Sequence, residues 1–389
     1  MKAYKFKLYN HKRNKHLLRQ INLAAEIYNH CIALHKRYYR LYGKHLSANT
    51  LKKHLTKLKK LDKYTHWNQL ASQAIQDIAE RIDRAYKLFF RNLTLDHQVV
   101  NAKAGIKSAP PNFKKRIKYK SFTLKQAGYK ILQDNYIRIG RRIYRYFKSR
   151  EIEANTIKTV TVKRDPLGDI YICIVTDAET KLEDVPRTGK SVGYDFGLKT
   201  FLTASDGNDV QSPLFFRQSA NKVKKASQGL SSKQRGSNNR HKARLNLARK
   251  HRKIANQRSD FHWKLSNRIT DESDCIFFED LVLKGMQRLW GRKISDLGFY
   301  SFLQKVKYYG KIKGKHIGFI DRFYPSSKTC SGCGFVFKEL ELRQRSWKCA
   351  ECGIVHNRDR NASVNIFSVG ASTLGLGDGR PPSPEAIAA

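Results

Sequence analysis

Apolar residues recur at three- and four-residue intervals in three stretches near the beginning of the chain. The stretches extend from about Arg19 to Tyr39, from Ser47 onward, and from about Ala71 to Phe90. This spacing places the apolar side chains on one face of an α-helix. Ser47 suits the N-cap of the second helix, because its side-chain oxygen can accept a hydrogen bond from a backbone N–H group of the first turn. We therefore predict a helical domain over residues 11–100.

A different pattern, in which apolar and polar residues alternate, follows the pair Pro110 and Pro111. Alternation with many β-branched residues predicts strands. The predicted strands are Lys118–Phe122, Tyr136–Ile139, Thr156–Lys163 and Ile170–Val175, together with the alternating segment Ala3–Leu8 at the start. We predict that residues 1–10 and 101–187 form a β-barrel, into which the helical domain is inserted.

From Lys190 onward, three predicted strands precede an alternation of helix and strand. The strands are Ser191–Phe196, Thr200–Ala204, a third up to Phe216, Cys275–Glu279 and His316–Ile320; the helices are Asn221–Thr270, Phe299–Lys313 and one near Asp359. This is the element order of an RNase H-like α/β fold, assigned to residues 188–325 and 353–369. The fold class is therefore multidomain α+β. Residues 370–389 are rich in Gly, Pro, Ser and Ala, and we expect a disordered tail.

Four cysteines form a spaced cluster that interrupts this last domain. Cys330 and Cys333 are followed, after fifteen residues, by Cys349 and Cys352. Two such pairs can surround one Zn²⁺ with four thiolates, and no position then remains for a catalytic water. The alternatives are two disulfides or four free thiols, and a cytosolic chain disfavours disulfides. We predict one structural zinc in an insert over residues 326–352.

The charge of the chain identifies the kind of partner. Lysine and arginine total 77 against 32 acidic residues, a formal charge of +45 that calls for a polyanion such as nucleic acid. There is neither an apolar run near 18 residues nor a signal-peptide pattern, so we expect a cytoplasmic protein and no membrane partner.

The stretch Asn221–Asp271 holds fifteen basic and two acidic residues. We predict that it lines a nucleic-acid path rather than forming a solvated helix face, through Arg249, Lys250, Arg252, Lys253 and Arg258.

Three carboxylates occupy related places in the predicted RNase H-like order. Asp195 lies in the first strand between two glycines, where we expect the backbone to approach a large ligand; Glu279 ends the fourth strand, and Asp359 begins the last helix. Alone, each has an ordinary explanation as a turn residue, a strand-end charge or an N-cap. In this order, however, all three meet at one edge of the sheet, where two Mg²⁺ ions would offset their repulsion and support phosphodiester hydrolysis. Asp280 is the nearest rival to Glu279, but it points to the other side of the strand.

At this point the chain resembles a known family, the TnpB-type transposon-encoded RNA-guided DNA nucleases, which are related to type V CRISPR effectors. The resemblance covers nearly the whole chain. It is carried by Pro111–Lys114, Ser121–Thr123, Gly193–Gly197, the run Arg249–Asp260, Phe278–Leu281, Trp290-Gly291 with Gly298-Phe299, Pro325–Cys330 and Arg358–Ala362. Small departures are Asn357, where aspartate is frequent, and Ser363, where alanine is usual.

The resemblance implies a recognition lobe of helices inserted in a wedge barrel, and a RuvC-like nuclease split by a zinc-binding insert. It implies that Asp195 bridges both Mg²⁺ ions while Glu279 and Asp359 each complete one site. The expected partners are a guide RNA and a double-stranded DNA target, bound by a monomer near the nucleoid of a prokaryote. Such proteins recognise a short motif beside the target, and Ser72, Gln73 and Gln76 are candidates for reading it.

Other functions remain open at this stage. A nuclease-inactive, RNA-guided DNA-binding repressor would keep the scaffold, but the three intact carboxylates speak against it. A protein-only RuvC-like recombinase or transposase could use the same carboxylates for strand transfer. A zinc-ribbon RNA-binding protein would have no use for them.

Overall fold

The computed structural model describes residues 2–10, 12, 14–94, 109–152, 156–178, 183, 185–281, 291, 294, 296–337, 339–341 and 344–374. The chain divides into two compact units, Met1–Thr180 and Lys181–Ala389, each with a hydrophobic core of its own. Within the described ranges, the helices are all too short or too polar to span a bilayer.

The helices of the first unit lie where the apolar spacing predicts them. They are α1 (Asn14–Tyr42), α2 (Ala48–Leu58) and α3 (Ser72–Arg91), with a 3₁₀ helix at Asp62–Gln69. The hydroxyl oxygen of Ser47 accepts a hydrogen bond from the Thr50 N–H, so the predicted N-cap of α2 is confirmed.

The strands of the first unit form two open sheets. They are β1 (Lys2–Lys7), β2 (Ser121–Leu124), β3 (Tyr129–Ile131), β4 (Tyr136–Ile139), β5 (Arg142–Arg145), β6 (Ile157–Arg164) and β7 (Ile170–Thr176). One sheet has the order β1-β7-β6-β2 and the other β3-β4-β5, and an isolated bridge between Leu8 and Tyr146 connects them.

The predicted closed barrel is therefore wrong for the described strands, and the edge strand β2 shows why. Its outer side meets α3 instead of another strand, since the Arg81 guanidinium donates to the Ser121 carbonyl oxygen at 3.3 Å. A helix that covers a sheet edge protects the unpaired backbone groups of the edge strand, as a further strand would. The helices and the larger sheet also share one core, which includes Ile21, Ile78, Phe122 and Ile172.

A five-stranded sheet forms the centre of the second unit. Its strands are β8 (Ser191–Phe196), β9 (Thr200–Ala204), β10 (Val210–Gln211), β11 (Cys275–Glu279) and β12 (His316–Ile320), in the order β10-β9-β8-β11-β12. β8, β9 and β10 are antiparallel, whereas β11 runs parallel to both β8 and β12. The third strand is shorter than predicted, because a helix already begins at Phe215.

Helices cover both faces of this sheet. They are α4 (Phe215–Ser231), α5 (Asn238–Glu272), α6 (Phe299–Lys313) and α7 (Arg358–Ser372). α5 and α6 share a core with Phe278, while α7 packs on the opposite face against Phe277. The single helical stretch predicted over Asn221–Thr270 is in fact a hairpin of α4 and α5, with Gly236 at a φ of 89° in the turn.

The last segments differ in detail from their prediction. α7 continues to Ser372, so the first residues of the predicted tail are helical. Residues 375–389 lie outside the described residues, as does Trp290 of the tryptophan-glycine motif. Between β12 and α7, the cysteine insert contains a two-stranded hairpin of β13 (Ser346–Lys348) and β14 (Val355–Asn357).

Candidate active site

Asp195 and Glu279 lie on neighbouring parallel strands of the central sheet. Phe278 pairs with Tyr194 in the register of β11 and β8, so the next residue of each strand is a carboxylate. Side chains alternate between the two faces of a strand. Tyr194 and Phe278 point into the core under α5 and α6. Asp195 and Glu279 therefore face the side of the sheet that α7 covers.

Helix α7 lies unusually close to this face because two glycines leave room for it. A Cβ atom at Gly193 would lie 2.4 Å from the backbone nitrogen of Phe367 and 2.6 Å from the carbonyl oxygen of Ser363. A Cβ atom at Gly370, within α7, would lie 2.3 Å from the ring of Phe277. Since Asp359 is one helical turn before Ser363, this packing brings it towards Asp195.

The glycines beside Asp195 allow close approaches within the chain itself. Gly193 makes room for α7, and a Cβ atom at Gly197 would lie 2.5 Å from the carbonyl oxygen of Thr200 in the β8–β9 turn. The approach of a large ligand to this backbone stays a prediction.

The carboxylate of Asp195 interacts electrostatically with those of Asp359 and Glu279. Burial, followed by the negative charges of Asp359 and Glu279, raises the pKa of Asp195 to about 8. The pKa of Glu279 is also raised, first by burial and then by Asp280. Half-buried anions that repel one another form a site that favours cations.

Asp359 is held at the start of α7 by two partners. The Asn357 side chain caps the helix, since its oxygen accepts from the N–H groups of Asp359 and Arg360, both at 3.1 Å. Asparagine at this position therefore supplies the same acceptor as the more frequent aspartate. The guanidinium of Arg345 donates to the two carboxylate oxygens of Asp359 at 3.0 and 3.1 Å.

Arg345 is a site residue that sequence reasoning missed. It lies just before β13 in the cysteine insert, and its carbonyl oxygen accepts from the Arg358 N–H at 2.8 Å. A basic residue between two cysteine pairs carries no distinctive pattern in such a basic chain. Only the pairing of β13 with β14 brings it to Asp359.

The carboxylates fit Mg²⁺ in chemistry, because this ion prefers hard oxygen ligands. Within the described residues, the ligand atoms of the four cysteines all lie within 4.8 Å of one another. The oxygen atoms of the three carboxylates are less close together. Asp359 pairs with Arg345, which offsets its charge. Asp280, the rival of Glu279, forms an ion pair with Arg322.

The four cysteines form a compact cluster that fits a zinc ribbon. The Sγ atoms of Cys330 and Cys352 are 3.6 Å apart, and those of Cys333 and Cys349 are 3.5 Å apart. A tetrahedral Zn²⁺ with four sulfur ligands at about 2.3 Å would space the sulfur atoms by about 3.8 Å. The donor set and its dimensions therefore suit zinc.

The residues predicted to contact nucleic acid differ in exposure. Arg249 and Lys253 are exposed on α5, while Lys250 and Arg252 are half-buried. Arg258 donates to the Asp296 carbonyl oxygen at 3.3 Å, so its guanidinium also supports the fold. In the first unit, Ser72 and Gln76 are exposed and Gln73 is half-buried at the start of α3.

Several known proteins and families are similar to this chain in sequence. Residues 169–289 match the family described as "Probable transposase", and residues 299–366 match the "Cas12f1-like, TNB domain". A protein of Streptomyces pristinaespiralis named "Putative RNA-guided DNA endonuclease" is 36% identical over 229 residues, which are 58% of this chain and 56% of that protein. The "Putative RNA-guided DNA endonuclease InsQ" of Escherichia coli strain K12 is 27% identical, over 98% of this chain and 96% of its own length. The chain is similar to TnpB-type proteins.

The fold of this chain also has a counterpart among solved structures. It is similar to the protein in the "Cryo-EM structure of the Cas12f1-sgRNA-target DNA complex", with a TM-score of 0.54 and 15% identity over 92% of this chain and 83% of that one. The chain spans about half the length of the Streptomyces relative and nearly all of the E. coli one. It therefore shares a mixed α/β multidomain fold with Cas12f1.

Proposed function

We propose that this protein is a TnpB-type, RNA-guided, Mg²⁺-dependent endonuclease that cleaves double-stranded DNA beside a short flanking motif. The observation that carries the proposal is that Asp195 and Glu279 lie on one face of the central sheet, on the side covered by α7, the helix that begins beside Asp359. Burial, followed by the charges of Asp359 and Glu279, raises the pKa of Asp195. The names of two relatives, and the guide RNA and target DNA in the Cas12f1 complex, support the RNA-guided part.

In this proposal the carboxylates hold the metal and orient the reacting groups. Bound there, two Mg²⁺ ions would activate a water and stabilise the leaving 3′ oxygen of a phosphodiester. Asp195 would be the ligand shared by both ions, since its carboxylate interacts with both Asp359 and Glu279. Glu279 and Asp359 would each complete one of the two sites. The Asn357 cap keeps Asp359 at the first turn of α7.

The other predicted residues complete the proposal. The basic hairpin of α4 and α5 binds phosphates of the guide RNA or of the RNA–DNA duplex, with Arg249, Lys250, Arg252, Lys253 and Arg258 on α5. Ser72, Gln73 and Gln76 read the flanking motif from α3. Cys330, Cys333, Cys349 and Cys352 hold one structural zinc, and the protein acts as a monomer with its RNA.

Asp195→Asn tests the catalytic assignment. The substitution keeps the size of the side chain but removes the anionic ligand shared by both metal sites, so DNA cleavage should fall by several orders of magnitude. Guide-dependent DNA binding should persist, since base pairing delivers the sequence specificity. The measurement is cleavage of a matched DNA target in Mg²⁺ by protein with its co-purified RNA, beside binding on the same preparation.

Three outcomes would contradict the proposal. Robust cleavage by Asp195→Asn would remove the carboxylates from the mechanism. Cleavage of the matched target after digestion of the RNA would favour a protein-only recombinase, and a wild-type preparation that binds but never cuts would favour the repressor. Asp280→Asn is the matched control, because Asp280 pairs with Arg322 and should leave cleavage in place.

A further inference from the structure

Two buried asparagines of α7 connect this helix to the first cysteine pair. The Nδ2 group of Asn361 donates to the carbonyl oxygen of Thr329 at 2.7 Å, and its Oδ1 atom accepts from the Ser331 N–H at 2.9 Å. The Nδ2 group of Asn365 donates to the carbonyl oxygens of Ser326 at 2.7 Å and Thr329 at 2.6 Å. We call these contacts the amide link.

The amide link is well protected from solvent. Only 2% of Asn361 and 4% of Asn365 is exposed, and the backbone groups they contact flank Cys330 on both sides. Buried backbone groups that lose their partners are costly, so the loop from Ser326 to Ser331 and the helix have to move together. Neither asparagine is explained by the metal sites proposed above.

A third contact reaches the same cysteine from the strand that precedes α7. The Nε2 atom of His356 lies 3.0 Å from the Sγ atom of Cys330, and the imidazole is buried against the ring of Trp347. An imidazole N–H that donates to a ligating thiolate orients it, as outer-shell groups commonly do around metals. Contacts with the cysteine cluster therefore lie on both sides of Asp359 in the sequence, at His356 and at Asn361.

We propose that Asn361 and Asn365 are positioning residues through which the four-cysteine site fixes the place of Asp359 at the sheet edge. The amide link connects the loop of the first cysteine pair to α7, and Gly193 and Gly370 press the same helix against β8 and β11. Zinc held by the four thiolates thus stabilises the geometry of the carboxylates without contacting them. The inference rests on the proposed nuclease function.

The test compares Asn365→Leu with Ser363→Ala in the full-length protein with its RNA. Leucine has a similar volume but cannot donate to Ser326 and Thr329. The Ser363 hydroxyl is equally buried on α7, but it donates only to Arg360 within the same helix, at 2.8 Å. Two quantities are measured, the rate of zinc loss to a chromogenic chelator and the Mg²⁺ concentration that gives half-maximal cleavage.

We expect Asn365→Leu to lose zinc about tenfold faster than the wild type, because the buried carbonyl groups of Ser326 and Thr329 each lose one donor. Half-maximal cleavage should need several-fold more Mg²⁺, while DNA binding stays unchanged. Ser363→Ala should match the wild type in both measurements. Asn361→Leu, which loses both the acceptor for Ser331 and the donor to Thr329, is a second variant and should shift both quantities in the same direction.

A double-mutant cycle separates the amide link from general loss of stability. If Asn365 acts through the cysteine site, Asn365→Leu should add little to the Mg²⁺ shift of Cys349→Ser, whereas independent damage would add fully. Full additivity, or zinc loss and Mg²⁺ dependence equal to those of Ser363→Ala, would overturn the inference. Absence of cleavage in the wild type would reject the proposed function instead, and the zinc measurement would still test the link.

Discussion

Burial and nearby negative charges act together on Asp195, and they make the stability of the folded protein depend on pH. With its pKa raised to about 8, the folded protein binds the proton more tightly than the unfolded chain does. The contribution of this carboxyl to stability is therefore greatest at low pH and is lost as the pH rises towards 8. Asp195→Asn removes the ionisation.

We expect Asp195→Asn to melt at a higher temperature than the wild type at pH 8 in buffer without Mg²⁺. The difference should shrink towards pH 5, where the wild-type carboxyl is protonated, and Mg²⁺ should reduce it at pH 8 because a cation offsets the charges. Thermal unfolding followed by circular dichroism measures this. A difference that does not change with pH would show that Asp195 is not the group responsible.

At the same scale, the sequence could indicate the carboxylates but not everything around them. Asp195, Glu279 and Asp359 stand out because each interrupts or bounds an apolar element. Arg345 does not stand out, since its partner depends on strand pairing within the insert. The reason for Gly193 also needed the structure, because a close approach by a distant helix leaves no local pattern.

At the scale of elements, the α4–α5 hairpin makes a prediction about salt. Replacing Arg249, Lys250, Arg252 and Lys253 by glutamine would remove the proposed phosphate contacts and keep residues that favour helix. The logarithm of RNA affinity should then fall less steeply with the logarithm of salt, by about 0.7 to 0.9 per lost contact. Filter binding over a range of salt concentrations measures the slope.

The matched control lies on the same helix. Lys264 and Arg268 already pair with Asp260 and Glu272, so Lys264→Gln with Arg268→Gln should change the slope less per residue. An equal change per residue would mean that the position along α5 does not matter, and that the hairpin acts only through its total charge.

The cysteine insert makes a second prediction at this scale. Cys349→Ser removes one of four ligands, and since zinc binding is itself folding free energy for such a site, the insert should loosen. Metal analysis should find about one zinc per wild-type chain and less in the variant. Cys275→Ser is the control, because Cys275 is on β11 outside the cluster. A zinc-free wild type with full activity would refute the structural role.

Helices and strands with a strong apolar periodicity could be predicted from the sequence. The turn between two helices and the packing at a sheet edge could not. β8, β9, β11, β12 and α6 have the predicted bounds. The turn at residues 232–237 escaped prediction because basic residues continue through it. The barrel failed because α3 covers the edge of β2, and which element covers an edge depends on tertiary packing.

At the scale of the whole molecule, the net charge of +45 makes a prediction about the proposed RNA partner. Removing the RNA should lower the melting temperature and the solubility at low salt, because like charges on a compact chain repel each other. Adding sodium chloride should recover part of the loss by screening. If digestion of the RNA leaves the melting temperature unchanged, the charge is balanced in another way.

The order of elements suggested an RNase H-like unit from sequence alone, and the charge suggested its partner. The sequence also predicted a helical domain over residues 11–100, but not what its helices pack against. The helices around Ile21 and the strands around Ile172 share one hydrophobic core. An apolar pattern shows which face of a helix or strand is buried, but not which other element packs against it.

The junction between β14 and α7 limits how the protein could be shortened or recombined. Asn357 is both the last residue of the hairpin and the N-cap of the helix that carries Asp359. Cutting out the insert to shorten the protein would therefore expose the first turn of this helix and release Asp359. A chimaera between two such proteins would need to exchange residues 326–372 as one block, with its crossover points before the first cysteine pair and after Ser372.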